Sequence, residues 1–88
     1  AMPFLGVPFL VKDLELEWAE TPLKSGCRGY ANYVSASDSE VIKRLKAAGL
    51  VLFGKTNTPE FGLTPYTESQ LYGPARNPWN RLHSPGGS

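Results

Sequence analysis

Residues with the potential for chemistry are few in this chain, and one set surrounds a lysine. The segment Gly49–Thr56 reads GLVLFGKT and satisfies the G-x-x-x-x-G-K-T pattern of phosphate-binding loops. Such a loop requires a strand before the first glycine and a helix that begins at the Lys-Thr pair. Here a helix is predicted before Gly49, a buried strand between the two glycines, and Pro59 soon after the lysine. We therefore predict that this segment does not bind a nucleotide.

A second candidate pairs the only cysteine, Cys27, with the only histidine, His83, as a nucleophile and its base. One residue of each kind provides no spacing signature, so ordinary structural roles are favoured for both. A zinc site would need a second cysteine or a cluster of carboxylates beside the histidine. We predict no metal and no cofactor.

Lys12 is a third candidate because it ends an apolar run. Burial disfavours the charged form of a lysine and can yield a neutral base. The alternative is an ammonium that extends into water or pairs with the adjacent Asp13. The local residues alone favour this alternative, since most lysines are exposed. The segment Pro85–Ser88 is equally open, because PGGS fits both a flexible linker and a tight turn that presents a reactive hydroxyl.

Two short apolar runs predict the strands that would position these residues. Residues 7–11 are apolar on both faces, with proline near the start, which is typical of a strand covered on two sides. Residues 50–53 form a second apolar run between glycines and predict another buried strand. With a helix between them, the two runs form a βαβ unit.

The helix is predicted from about Asp38, because Ser37–Glu40 has the Ser-x-x-Glu form of a capping box. Gly49 supplies its end. Its apolar stripe comprises Val41, Ile42, Leu45 and Ala48. Thr58–Phe61 predicts one helical turn, with Thr58 as the N-cap and Pro59 as the first helical residue. Residues 14–35 and 65–88 are predicted to be irregular, and the aromatic residues of the second segment indicate an ordered loop.

Composition excludes several classes of partner. Nine Lys and Arg residues against eight Asp and Glu residues give a net charge of +1, which is too weak to attract nucleic acid or anionic lipid. No apolar run approaches the length of a membrane span. We therefore expect no nucleic-acid partner and no membrane, and the single cysteine favours a cytoplasmic location.

Three blocks in order resemble the amidase signature family: GVPFLVKDL at 6–14, RLKAAGLVLFGKTNTPEFG at 44–62 and GPARNPWNRLHSPGGS at 73–88. The resemblance covers nearly the whole chain, and the order and spacing of the blocks make it specific. It implies the α/β amidase signature fold, a mixed β-sheet covered by helices. Residues 1–88 would form a single partial domain, the N-terminal portion of the catalytic domain, with two buried strands, one helix and long ordered loops.

The resemblance also implies a mechanism, because the family uses a Ser-cisSer-Lys triad. Lys12 matches the catalytic lysine, and Ser88 matches the serine whose preceding peptide bond is cis. Neutral Lys12 would accept a proton from Ser88, while Ser88 accepts one from a nucleophilic serine that attacks an amide carbonyl. The implied reaction is hydrolysis of the C–N bond of a small-molecule amide, without a cofactor.

The family pattern places the nucleophilic serine after Ser88. We therefore expect these residues to be a piece of a longer amidase and to be inactive alone. The expected partners are the amide substrate, and either the remainder of the amidase chain or another copy bound through exposed strand edges. The alternative is a non-catalytic interaction or structural module derived from an amidase.

Overall fold

The computed structural model describes all 88 residues, and its centre is a parallel pair of strands. Strand β1 (Pro8–Lys12) is followed by helix α1 (Glu40–Ala47) and strand β2 (Val51–Thr56). β1 and β2 are hydrogen-bonded in parallel. Parallel neighbours need a crossover connection, and a helix is its usual form. The predicted combination of two strands and a connecting helix is confirmed.

The register of this pair sets the position of Lys12. Pro8 lies opposite Val51 at one end, and Lys12 lies opposite Thr56 at the other. The register shifts between Phe9 and Leu10, which leaves one residue of β2 without an opposite partner. The two strands therefore end together, and the residues that follow them share one edge of the sheet.

Burial in the sheet differs from the expectation that both strands lie in the interior. Val11 is the only fully buried residue of β1, and β2 contains none. The side chains of Val51 and Phe53 are 51% and 63% exposed. Two strands and one short helix provide too few elements to cover both faces of the sheet.

Helix α1 begins two residues later than the capping box predicts. Its N-cap is Ser39, whose side chain makes no capping hydrogen bond. The Asp38 carboxylate instead accepts hydrogen bonds from the backbone N–H of Ala19 at 2.8 Å and from Lys46 Nζ at 2.7 Å. The predicted stripe is confirmed at Ile42, which is fully buried.

Residues 14–35 are largely irregular, as predicted, and contain one 3-10 turn at Arg28–Tyr30. A second 3-10 turn, Glu60–Gly62, lies where one helical turn is predicted, but Pro59 is its N-cap rather than its first residue. The segment from residue 65 onward contains an unpredicted antiparallel pair, β3 (Glu68–Ser69) and β4 (Gly73–Pro74). Strands of two residues are too short to leave a periodic pattern in the sequence.

The chain as a whole is more open than a domain of its length. Its Cα radius of gyration is 14.4 Å, whereas about 12 Å is typical of a compact domain of this size. The buried apolar side chains are Val11, Leu23 and Ile42. No helix in the structure has both the length and the apolar character needed to cross a membrane.

Candidate active site

Lys12 lies at the carboxyl end of β1, where its backbone is held by pairing with Thr56 of β2. The residue is half-buried. Its ammonium forms no hydrogen bond and no ion pair within the chain. The strand therefore fixes the backbone of Lys12 but leaves its charged end uncommitted.

Asp13 does not pair with Lys12, although the sequence left that pairing open. Its Oδ1 atom accepts the backbone N–H of Lys24 at 3.1 Å and lies 3.9 Å from Lys55 Nζ. Its own N–H donates to Thr56 O at 3.1 Å. Asp13 is 8% exposed, so these contacts lie in a largely desolvated setting. They join the ends of both strands to the loop that follows β1.

Lys55 is the second charge of this cluster. Its Nζ donates a hydrogen bond to Pro22 O and faces the Asp13 carboxylate. Burial lowers the pKa of Lys55, while the negative charges of Asp13 and Glu17 oppose that change. The side chains of Lys55 and Asp13 are 16% and 11% exposed, so the pair is shielded from bulk water.

A cleft of about 340 Å³ opens beside this pair and is lined by Asp13, Lys55, Thr56, Asn57 and Tyr72. Four of these residues belong to the last positions of the two parallel strands or directly follow them. Ligands of open α/β sheets bind outside the carboxyl ends of the strands. This rule could have predicted Asp13 and Asn57 as cleft residues from their positions after the strands. Neither of them is selected as a site residue from the sequence. Nothing in the sequence pattern indicates Tyr72.

The Gly-Gly-Ser end of the chain is anchored by local contacts but contains no turn or bend. Gly86 has φ +97°, and its N–H donates to Ser84 Oγ at 3.0 Å. Gly87 O accepts a hydrogen bond from Thr67 Oγ1 at 2.9 Å. A Cβ at Gly87 would lie 3.1 Å from Thr64 O, so a side chain there would need the neighbouring backbone to move. PGGS is thus an anchored segment rather than a free linker, but the tight turn of the other interpretation is not formed.

Ser88 follows this anchored segment and is exposed. No hydrogen bond connects Ser88 with Lys12, so the structure does not join the two predicted relay residues directly. All peptide bonds are trans, including the bond before Ser88, where the family resemblance implies a cis bond. A cis bond at a non-proline residue costs about 3–4 kcal/mol and persists only where its surroundings enforce it. Ser88 makes no hydrogen bond in this chain that would do so.

The phosphate-loop pattern has the wrong geometry for a nucleotide, as predicted. Gly49 ends helix α1 with φ +91°, and Val51–Thr56 is strand rather than an open loop. Lys55, the lysine of the pattern, is bound to Pro22 O. No helix of the α type starts after Thr56 to direct its N-terminus toward a phosphate.

The remaining sequence candidates stay separate in the structure. No hydrogen bond connects Cys27 with His83, and Cys27 is a free thiol. No group of three or more His, Cys, Asp or Glu side chains is placed to hold a metal ion.

Comparison with known proteins decides the family. The family model for amidases matches residues 1–88. The chain belongs to the amidase family. It is 49% identical to AmiA2 of Mycobacterium tuberculosis over 86 residues, which are 98% of this chain and 17% of that protein. It is 44% identical over 88 residues to the 6-aminohexanoate-cyclic-dimer hydrolase of Paenarthrobacter ureafaciens, covering 98% of this chain and 18% of the hydrolase.

The fold comparison gives the same family. A solved structure of 6-aminohexanoate cyclic dimer hydrolase in complex with substrate matches all of this chain, with a TM-score of 0.92 and 43% identity. The match covers 19% of that hydrolase. This amidase-family chain therefore spans about a fifth of the length of the relatives it matches.

Proposed function

We propose that this chain is the N-terminal part of the catalytic domain of an amidase that hydrolyses carboxamide C–N bonds. The observation that carries the proposal is the amidase-family match over residues 1–88, with fold agreement at a TM-score of 0.92. The position of Lys12 at the carboxyl end of a parallel strand supports it, because this edge is where α/β proteins bind ligands.

In the proposed reaction, Lys12 and Ser88 relay protons for a nucleophilic serine located beyond Ser88 in the longer protein. The nucleophile passes its proton to Ser88, Ser88 passes its own to neutral Lys12, and the serine oxygen attacks the amide carbonyl. Backbone N–H groups stabilise the resulting oxyanion. The relay then returns a proton to the amine nitrogen as the C–N bond breaks. Water hydrolyses the remaining acyl-enzyme ester.

The contacts of Asp13 favour this role for Lys12. A carboxylate bound to Lys12 would occupy Nζ, the atom that accepts the proton in the proposed relay. Asp13 instead binds the backbone of Lys24 and faces Lys55. Lys12 is thus adjacent in sequence to a carboxylate that is committed to other partners.

The anchored segment before Ser88 supports the role of the serine. Thr67 Oγ1 holds the carbonyl of Gly87, and Gly86 supplies a positive φ. These features fix the chain direction at the residue directly before Ser88. We propose that the rest of the protein sets the peptide-bond geometry at Ser88 that the relay uses.

The substrate is proposed to be a small-molecule carboxamide. One matched relative is a hydrolase of the cyclic dimer of 6-aminohexanoate, and another, 43% identical, is the A subunit of a glutamyl-tRNA(Gln) amidotransferase from Ralstonia pickettii. Since these relatives differ in what they act on, we assign the reaction class and not an individual amide.

The remainder of the amidase is proposed to be the main partner of this partial domain. The matched relatives are more than five times as long as the matching segment, which is 17–19% of each of those described. The apolar residues Phe9, Val51 and Phe53 are exposed on the strand pair here. Further elements of the protein would cover them and pair with the open strand edges. A cytoplasmic location is proposed from the single, free cysteine.

The test uses the full-length protein and release of a chromogenic amine from an aryl amide. Lys12→Ala is expected to lower kcat/KM by about 10²- to 10⁴-fold, the range for loss of a general base. Ser88→Ala should reduce it by a similar factor because it interrupts the same relay. The matched controls are Lys43→Ala and Ser37→Ala, which alter exposed residues without side-chain partners.

Full activity in Lys12→Ala would exclude the proposed relay. A wild-type protein that hydrolyses no amide, yet assembles with other chains through this segment, would favour the non-catalytic module instead. The observation that favours this second function is the exposed edges of the two-stranded sheets.

A further inference from the structure

A second cleft, of about 370 Å³, lies outside the proposed relay. Residues 17–33 form most of its wall, and the turn that follows β2 completes it. The lining residues are Glu17, Leu23, Ser25, Tyr30, Tyr33 and Phe61. Three aromatic rings and one carboxylate thus face a common space of the size of a small molecule.

The rings are arranged edge to face around Tyr30. Its centroid lies 6.3 Å from that of Tyr33, at an interplanar angle of 73°, and 6.0 Å from that of Phe61, at 88°. All three residues are between 42% and 48% exposed, so part of each ring is available to a ligand. Aromatic faces carry negative electrostatic potential and attract cations.

Glu17 adds a full negative charge to this wall. Its two carboxylate oxygens accept the hydroxyl of Tyr33 at 3.0 and 3.2 Å. This bond raises the pKa of Tyr33, so the phenol stays protonated and continues to donate. No cation forms an ion pair with Glu17. The Lys55 ammonium is close enough to respond to its charge but is bound to Pro22 O and faces Asp13.

The backbone that holds the cleft adopts an uncommon conformation at two lining residues. Phe61 and Ser25 have φ values of +53° and +51°, in the left-handed region that side chains other than glycine rarely adopt. The N–H of Phe61 donates to Ser25 O at 2.8 Å, which ties the two residues together. Such conformations collect at ligand sites, where the surrounding structure enforces them. Here the enforced backbone places the Phe61 ring against Tyr30.

We propose that this cleft binds a small organic cation, an alkylammonium or quaternary ammonium group. The carboxylate of Glu17 supplies the countercharge, and the Tyr30, Tyr33 and Phe61 rings contact the alkyl groups around the nitrogen. An uncharged ligand of the same shape would gain the ring contacts but not the attraction to Glu17. The proposal goes beyond amide hydrolysis and does not depend on it.

The first experiment titrates the full-length protein with choline and, separately, with 3,3-dimethylbutan-1-ol, in which carbon replaces the quaternary nitrogen. Binding is followed by calorimetry. We expect choline to bind at least about ten-fold more tightly than its neutral isostere, since the shapes agree and only the charge differs. Equal affinities, or no binding of choline, would overturn the proposal.

A second experiment removes the charge of Glu17 but keeps its hydrogen bond with Tyr33. Glu17→Gln retains an oxygen that can accept the Tyr33 hydroxyl, and it should weaken choline binding about ten-fold. Glu20→Gln is the matched control because Glu20 is exposed and does not line the cleft. Tyr30→Leu should also weaken binding, since it removes the central ring. Unchanged affinity in Glu17→Gln, or an equal loss in Glu20→Gln, would contradict the assignment.

A third experiment, which tests choline as an inhibitor of amide hydrolysis, identifies the source of the cation. If choline inhibits amide hydrolysis competitively, the cation belongs to the substrate; if choline binds without competing, it is a separate effector. Either result supports the cation site only if Glu17→Gln weakens the effect of choline; an effect that Glu17→Gln leaves unchanged arises elsewhere and contradicts the assignment. Calorimetry measures binding without turnover, so failure of the hydrolytic proposal would leave this one testable.

Discussion

At the scale of single residues, Asp13 links the loop after β1 with the end of β2. One oxygen of its carboxylate receives the N–H of Lys24 and faces Lys55, while its backbone N–H binds Thr56 O. These contacts anchor the loop after β1 to the end of β2. They also occupy the carboxylate that is adjacent to Lys12 in sequence.

We predict that Asp13→Asn destabilises the full-length protein by about 2 kcal/mol at pH 7, somewhat less than loss of a fully buried ion-pair partner. The amide oxygen can still accept the Lys24 N–H, so the principal loss is the attraction for the Lys55 ammonium. The measurement is the free energy of unfolding in urea. Glu15→Gln, which alters an exposed carboxylate with no side-chain partner, should leave that free energy nearly unchanged.

The pH dependence of this difference follows from Lys55. Burial lowers its pKa in the folded protein, so between that pKa and the ordinary value of 10.5 the unfolded state binds more protons. The stability contribution of Lys55 therefore rises with pH across this window. Neutral Lys55 is no longer attracted to the Asp13 carboxylate. The destabilisation caused by Asp13→Asn should therefore become smaller as the pH rises. A difference that stays constant from pH 7 to 10.5 would contradict the role assigned to the pair.

Sequence reasoning at this scale selects Lys12 as a candidate, which stays a prediction, and does not find the Asp13–Lys55 pair. The glycines before Lys55 fit a phosphate-loop pattern, and that pattern presents the lysine only as a phosphate ligand. Its actual partners, Pro22 and Asp13, lie far away in sequence and come close only in the folded chain. Contacts of this kind leave no local pattern.

At the scale of elements, Gly49 connects the helix with the chain before β1. A Cβ at Gly49 would lie 2.7 Å from Leu5 Cα, which is too close for any side chain. The carbonyl of Gly49 also accepts the N–H of Gly6 at 3.0 Å. The helix end and the approach to β1 are thus in backbone contact, which helps to set the parallel register.

Gly49→Ala is therefore expected to destabilise the protein by about 1–2 kcal/mol for the left-handed backbone and by about 1–3 kcal/mol for the clash. Gly73→Ala separates the two costs, because Gly73 has φ +74° but no atom within 4 Å of the place that a methyl group would occupy. Gly73→Ala should therefore show only the destabilisation caused by the left-handed backbone. Thermal unfolding of both variants measures the difference, and equal losses would refute the close contact at Leu5.

The buried face and the end of helix α1 are predictable from the sequence, but the residue at which the helix begins is not. Apolar spacing predicts Ile42 as a core residue, and Gly49 predicts the end. The capping box does not form, because its acid, Glu40, accepts a hydrogen bond from Arg44 Nε at 3.0 Å instead of one from the backbone N–H of Ser37. Arg44 lies one turn further along the same helix, so the competing partner exists only once the helix has formed.

At the scale of the whole molecule, the three sequence blocks predict the family better than the local patterns predict burial. Apolar runs indicate that β1 and β2 lie in an interior, yet Phe53 is 63% exposed and Phe9 is 41% exposed. Both observations are explained if the interior includes elements that this chain does not contain. The relatives, of which the chain spans less than a fifth, are long enough to supply them.

Phe53 provides the test at this scale. In the full-length protein, Phe53→Ala should destabilise by about 3–5 kcal/mol, the cost of removing a buried aromatic side chain. The isolated 88-residue chain should bind an apolar fluorescent dye strongly, and the full-length protein weakly, because the same surface is covered there. Lys43→Ala, an exposed helix position, serves as the control for the unfolding measurement. If Phe53→Ala leaves the stability of the full-length protein unchanged, this face of the sheet stays open to solvent, and the exposed strands would then be a surface for another partner.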